Sequence, residues 1–266
     1  MLELKTPGEI DAMRPPGRAV AAVLAAVRAA AQVGTRLHEL DEVARGVLRD
    51  HAATPTFLDY HPSFAPTPYP GVICTSVNDA ALHGIPDGYR LRDGDLLSID
   101  CGAAVDGWTG DAAITFSVGT PRAGDARLVE CTTAALRAGI EAAVVGNRIG
   151  DVSAAIGGVA RAAGYGLHTD FGGHGIGREM HEAPSIPNDG RAGRGLPLRA
   201  GLVIAIEPWF MAGGVDGYRI DADGWTLRST DGSRAAHMEH TVAVTAGGPL
   251  VLTDGSAQAG HHVVTA

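Results

Sequence analysis

Four acidic residues and one histidine stand where side chains of their kind are costly unless a cation meets them. Asp100 ends the apolar run DLLSID and Asp111 opens the run DAAITF. Glu207 lies in VIAIEPW and Glu239 in HMEHTVAV, each at the edge of an otherwise apolar strand pattern. A carboxylate in such a setting is expensive unless it is paired or bound to metal. His174 sits in FGGHGIG, among glycines at 172, 173, 175 and 177 that let the backbone turn sharply and approach a ligand closely. The segment is not a dinucleotide fingerprint, because Arg178 occupies the place of the third glycine. Four negative charges balance two divalent cations. Oxygen-rich ligation with one imidazole suits manganese, iron(II), cobalt or zinc, whereas a structural zinc site would normally use thiolates. Two such ions about 3.5–4 Å apart acidify water and stabilise both sides of a hydrolytic transition state.

These residues need elements to hold them. Asp106-Gly107 is a good two-residue hairpin turn between the runs that carry Asp100 and Asp111. With that turn, Asp100 pairs with Ala113 and Asp111 with Gly102, which makes the two aspartates diagonal neighbours on one face, roughly 7–8 Å apart. Further strands are expected in YPGVICTSVN, GLVIAIEPWF, DGWTLRST and EHTVAVT, bounded by glycine and aspartate turns. Thr6-Pro7-Gly8-Glu9 has the form of a capping box and predicts a helix start, with a kink or break near Arg14 because Pro15 and Pro16 follow.

The chain also repeats itself. VGTRLHELDEVARGVLR, residues 33–49, matches VGNRIGDVSAAIGGVAR, residues 145–161, with six of seventeen positions identical at a constant offset of 112. Alanine-rich helical stretches precede both copies and strands follow both. The expected architecture is α+β, antiparallel sheet covered by helices on one side. It forms one domain over residues 1–266, with two related halves at approximately 1–120 and 121–255.

Composition narrows the function classes. Hydrophobic residues make up 45% and charged residues 19% of the 266, ordinary values for a globular chain of a length that buries a substantial core. The formal net charge is −9 with no basic cluster, so nucleic acid is not an expected partner. Cys74, Cys101 and Cys131 are odd in number and scattered, which fits neither a disulfide framework nor a cysteine zinc site. The opening MLELKTPGEIDAMR is unlike a signal peptide, and Arg28 interrupts the apolar stretch from Ala19 to Ala31, so neither export nor a membrane span is expected. The reading is a cytoplasmic protein, and a monomer.

The motifs HGIPD, SIDCG, GDAAITF, GHGIGREMHEAP, IEPW, DGWT and MEHT occur in this order and spacing in the type I methionine aminopeptidases of the pita-bread fold, which the chain resembles over residues 3 to 255. The resemblance implies removal of the initiator methionine from nascent polypeptides with a small second residue. It implies that Asp100, Asp111, His174, Glu207 and Glu239 hold two divalent ions, in agreement with the grouping above. It also gives Glu207 the role of general base. His83, in HGIPD, is implied to contact the scissile amide or substrate amine, and His181, seven residues after His174, the substrate carbonyl. Tyr60, Tyr69, Cys74 and Trp225 match positions lining the family's methionine pocket, and Met180 stands where many members have phenylalanine.

Two departures stand out: the proline pair at 15 and 16, and an insertion-like segment, Pro62 to Thr67, between Tyr60 and Tyr69. No cysteine-rich N-terminal extension is present, so ribosome docking through a zinc module is not expected, though nascent chains imply transient ribosome association. His38, His51, His61, His168, His237, His240, His261 and His262 are read as structural or surface residues. Two rival readings are the Xaa-Pro aminopeptidases of the same fold, which generally carry an additional N-terminal domain, and a catalytically silent pita-bread binding module, which would have lost a ligand.

Overall fold

The computed structural model describes residues 3–255. The hydroxyl of Thr6 accepts from the Glu9 N–H at 3.3 Å, and the Glu9 carboxylate accepts from the Thr6 N–H at 2.8 Å. This capping box starts α1 (Pro7–Ala12). The chain breaks at Met13, and α2 (Arg14–Ala30) begins there with the proline pair in its first turn, where a missing N–H has no helical partner to lose. The break expected near Arg14 is therefore a junction of two helices. α3 (Leu37–Asp50) completes the first helical group.

Five strands follow: β1 (Thr54–Pro55), β2 (Cys74–Val77), β3 (Ala80–Leu82), β4 (Asp95–Val105) and β5 (Trp108–Val118). Then come α4 (Asp125–Ala142) and α5 (Ile149–Ala163). The remaining strands are β6 (Gly173–Gly175), β7 (Glu182–Ile186), β8 (Val203–Ile206), β9 (Trp209–Met211), β10 (Tyr218–Ile220), β11 (Leu227–Ser229), β12 (Ala235–His237), β13 (His240–Thr245) and β14 (Gly248–Val251).

The β4–β5 hairpin has the expected register. Asp100 opposes Ala113, Gly102 opposes Asp111, and Val105 opposes Trp108 across Asp106-Gly107. Both turn residues have positive φ, 51° and 73°, the conformation that a tight hairpin matched to strand twist requires. β1 and β2 pair with β4 to complete a four-stranded sheet, and β14-β13-β8-β6-β7 form a five-stranded one. Smaller ladders, β10-β11-β3 and β12-β9, lie beside them, and the strand pairs are antiparallel.

One apolar core joins α2 and α3 to the sheet through residues such as Val20, Val23, Leu40, Leu97 and Ile99. A second joins α4 and α5 to theirs through Leu136, Ile140, Ile156, Ile204 and Val242. α2 crosses the hairpin closely: a Cβ on Gly110 would lie 3.0 Å from the Gly17 nitrogen, and one on Gly17 would lie 2.0 Å from the Leu252 carbonyl oxygen. Gly17 leaves no room for a side chain, and Gly110 allows one only if the backbone of α2 gives way slightly.

The two sequence repeats have the same local build. Glu39 accepts from the Arg36 N–H at 2.7 Å ahead of α3, and Asp151 accepts from the Arg148 N–H at 2.7 Å ahead of α5. Arg36 and Arg148 each also make an isolated bridge, to Arg90 and Pro197. These parallels support the proposal of two related halves in one domain.

The sheets are stitched together beside Asp111. Glu239 N–H donates to the Ala113 carbonyl at 2.9 Å. The Thr241 hydroxyl donates to the Asp111 carbonyl at 2.8 Å and accepts from the Asp111 N–H at 2.9 Å. Strand β5, from the first group, and β13, from the second, thereby hold Asp111 and Glu239 at one seam.

Candidate metal centre and adjoining pocket

A cavity of about 320 Å³ opens at this seam, and Asp100, Asp111, His174, Glu207 and Glu239 all lie on its wall. β4 and β5 carry the aspartates, β6 carries His174, Glu207 follows β8, and Glu239 precedes β13. Asp111, His174 and Glu239 each offer a donor atom within 4.8 Å of the others. The His174 Nε2 lies 3.5 Å from Glu207 Oε1. Its Nδ1 is 2.9 Å from the Gly175 carbonyl, a partner that takes the Nδ1 proton and leaves Nε2 with a free lone pair for a cation.

The electrostatics are those of acids crowded out of water. Burial, then the neighbouring charge of Asp111, drives Asp100 well above the usual carboxylate range. Burial raises Asp111 to about 7. Glu207 and Glu239 are raised well above their ordinary value, again by burial first and Asp111 second. Burial keeps His174 neutral, at about 3, and His83 at about 4. Asp100 Oδ1, Asp111 Oδ1 and Glu239 Oε1 are buried acceptors without a hydrogen-bond donor. Buried acceptors of this kind normally have partners, and divalent cations supply them for all three at once. The donor set fits such ions.

An apolar pocket adjoins the acids. Phe57, Tyr69, Cys74, Met180 and Trp225 form one buried cluster, with Tyr60 packed against it. Tyr69 and Trp225 meet edge to face at 5.0 Å. The Tyr69 hydroxyl is held by the Ile73 and Gly84 carbonyls at 3.1 and 2.8 Å, and the Trp225 indole N–H donates to the Thr67 carbonyl at 3.0 Å, so their polar ends are satisfied away from the cavity.

His83 has a left-handed backbone, φ 56°, and its ring packs edge-on against Phe171 and Trp225. His181 stands exposed at the mouth, its ring 4.3 Å from that of His174, with Nδ1 3.0 Å from the Tyr60 hydroxyl. All the residues singled out from the sequence thus surround one cavity.

Three aromatic residues and a histidine were not among them. Phe57, Phe64 and Phe171 line the cavity, and Phe64, on the insertion-like segment, meets Phe171 at 5.4 Å and Trp225 at 5.7 Å. His237, read from the sequence as a structural or surface residue, is buried with Nε2 3.9 Å from both Glu207 and Glu239. The other described histidines have local partners: His38 the Asp87 carbonyl, His61 the Ala65 carbonyl, His240 the Thr253 hydroxyl, and His168 the rings of Trp209 and Tyr218, while His51 ends α3. His261 and His262 lie outside the described residues.

Comparison with known proteins agrees with the geometry. The description "Metallopeptidase family M24" matches residues 11–246, and the chain belongs to that family of metal-dependent hydrolases. Within it, the chain groups with the methionine aminopeptidases. It is 52% identical over 258 residues to methionine aminopeptidase 1 of Mycobacterium tuberculosis, covering 94% of each chain. It is 41% identical to the methionine aminopeptidase of Clostridium acetobutylicum, over 95% of this chain and 99% of that one. The crystal structure of methionine aminopeptidase from Thermotoga maritima superposes with a TM-score of 0.90 at 37% identity, covering 95% of this chain and 99% of that one. The prolidase of Pyrococcus furiosus shares the fold, with a TM-score of 0.74 at 23% identity, over 94% of this chain and 65% of its own.

Proposed function

We propose that this chain removes the N-terminal methionine from polypeptides whose second residue is small, with Asp100, Asp111, His174, Glu207 and Glu239 holding two divalent cations. One observation carries the reading: four carboxylates, those of Asp111 and Glu239 buried, and a neutral imidazole converge beside a pocket walled by apolar and aromatic side chains. When bound, such cations acidify water and polarise the scissile carbonyl. Manganese, iron(II), cobalt and zinc all suit the donors.

Glu207 takes the proton of the attacking water and passes it towards the leaving amine. With Tyr60 on Nδ1, His181 presents Nε2 to the substrate carbonyl. His83 faces the scissile amide or the substrate amine. Tyr60, Tyr69, Cys74, Met180 and Trp225 receive the methionine, whose thioether suits aromatic edges and sulfur. The names of the relatives support this branch of the family. Among the described residues no helix is long and apolar enough to cross a membrane. We assign the enzyme to the cytoplasm, acting as a monomer on nascent chains, with transient ribosome contact.

A series of Met-Xaa-Ser peptides graded by the size of Xaa tests the reading. A large second side chain beside His181 displaces the scissile bond, and a misplacement of about 1 Å costs on the order of 10²-fold in rate. Met-Ala-Ser should therefore exceed Met-Trp-Ser by about that factor. The pocket separates side chains differing by one methylene by only about 1–3 kcal/mol, so norleucine peptides should be cleaved slowly and Leu-Ala-Ser poorly. Equal rates for Met-Ala-Ser and Met-Trp-Ser, or faster cleavage of Ala-Pro-Ala, would assign the chain to the proline-specific branch or to neither.

Cation affinity should weaken as pH falls. Without a cation, burial holds the Asp111 carboxyl at about 7, so below that pH a proton must leave before this oxygen can bind metal. Asp100, Glu207 and Glu239, whose affinity for protons burial also raises, add to the competition. His174, already neutral, adds no opposing term. Calorimetric Mn²⁺ titrations should show proton release and a dissociation constant that rises about tenfold per proton for each pH unit lost. A pH-independent affinity would remove these carboxylates from the ligand set.

A further inference from the structure

His237 ends β12, where its backbone is clamped from both sides by one hydroxyl. Its N–H donates to Thr115 Oγ1 at 2.8 Å, and its carbonyl accepts from the same hydroxyl at 2.6 Å. Its side chain is 2% exposed, and Nε2 has no hydrogen-bond partner among the described residues. That nitrogen lies 3.9 Å from Glu207 Oε2 and 3.9 Å from Glu239 Oε2. Among the described residues, no other basic side chain is paired with the Glu239 carboxylate. Glu207 and Glu239 line the cavity, whereas His237 does not. Nε2 thus faces the Oε2 oxygens of two glutamates whose side chains line the cavity, while the ring does not.

We propose that His237 is a positioning residue that donates its Nε2–H to the Oε2 oxygens of Glu207 and Glu239 and so fixes how the two carboxylates face the cations. The proposal rests on the ligand set given above. At 3.9 Å the contact is longer than a hydrogen bond, and a glutamate χ rotation of modest size closes it. With two carboxylate acceptors before Nε2 and no hydrogen-bond partner for that nitrogen among the described residues, the tautomer protonated on Nε2 is the one that meets them. Carboxylate ligands held by a donor from behind lose less freedom when they bind, and removing such partners typically costs 10–100-fold in metal affinity.

Three substitutions separate the donor from the volume. His237→Phe keeps a ring and His237→Leu keeps apolar bulk, both without a donor, whereas His237→Gln keeps a neutral N–H. Mn²⁺ binding by calorimetry, the visible spectrum of the Co²⁺-loaded protein and the melting temperature of the metal-free protein are read for each. The Phe and Leu variants should bind Mn²⁺ about 10–100-fold more weakly, with an altered Co²⁺ spectrum and a metal-free melting temperature near that of the parent. The Gln variant should retain both the affinity and the spectrum. Wild-type affinity in a folded donorless variant overturns the proposal, as does equal loss in the Gln variant. If neither donorless variant folds, the Gln variant alone decides, its retained affinity supporting the donor and its loss overturning it. Failure of the parent protein to bind Mn²⁺ would instead overturn the ligand set itself.

Discussion

Replacing Glu207 by Gln should lower kcat on Met-Ala-Ser by roughly 10²–10⁴-fold while KM changes little. Glu207 follows β8, a strand buried along its length, and the Asn188 amide donates to its carbonyl at 3.2 Å, so its backbone does not depend on its carboxylate. The carboxyl itself, only 12% exposed, lies beside His174 and has its affinity for protons raised by desolvation and by the charge of Asp111. In the cation-free cavity burial favours its protonated form. Next to divalent charge it gives the proton up, because an adjacent positive charge favours the carboxylate. The balance between these tendencies is what a base needs if it is to accept a proton from water and release it to an amine. Gln has the same shape and keeps one oxygen for ligation, but it cannot accept the proton. Metal content must be measured on the same sample, because a variant that loses both cation and rate would identify Glu207 as a ligand alone. A fully metallated Glu207→Gln enzyme turning over at the parental rate would sink the assignment of the base.

The aspartate pair was readable from sequence because a two-residue turn fixes register, and in a hairpin register fixes which side chains share a face. Asp106-Gly107 left no freedom, and the observed pairing of Gly102 with Asp111 is the one the turn dictates. Glu207 and Glu239 were readable because charge at the edge of an apolar strand is anomalous. The strands β3, β6, β7, β9, β10 and β12 are three to five residues long, too short for periodicity to reveal. His83 was harder to place, since its left-handed backbone and its packing on Phe171 and Trp225 depend on contacts distant in sequence. Its implied role came from resemblance alone. Phe171 had a signal, adjacency to the glycine cluster around His174. Phe64 had one in the segment that departs from the family pattern. The clearest overlooked signal belonged to His237: residues two apart in extended chain share a face, and Glu239 had already been singled out. A histidine two positions before a suspected ligand is a candidate to touch it, which the fold bears out at 3.9 Å.

Chelation should abolish peptidase activity altogether, and manganese, iron(II) or cobalt should restore it. The expectation follows from the cavity's charge. Asp100, Asp111, Glu207 and Glu239 converge in a buried space, and three of their oxygens have no donor. Without divalent charge, burial and the charge of Asp111 favour the protonated form of Glu207, which opposes its action as a base. Metal removal therefore works against the proposed base as well as removing the chemistry the ions supply. Substitutions then separate holding from reacting. His174 sits within 4.8 Å of donor atoms on Asp111 and Glu239 and presents Nε2 to them, so His174→Ala should lose bound metal. His181, exposed at the mouth with its Nδ1 on Tyr60, and His83, packed against Phe171 and Trp225, are the residues proposed to meet the substrate. Their alanine variants should keep their metal and lose rate, by an amount on the order of that seen for a positioned acid–base or hydrogen-bonding side chain, about 10²–10⁴-fold. The measurement is metal content by elemental analysis beside turnover on Met-Ala-Ser, in one preparation of each variant. Full activity in rigorously metal-free protein would end the metal-dependent account. A His83→Ala variant that emptied the site while His174→Ala left it full would reverse the roles given to the two histidines.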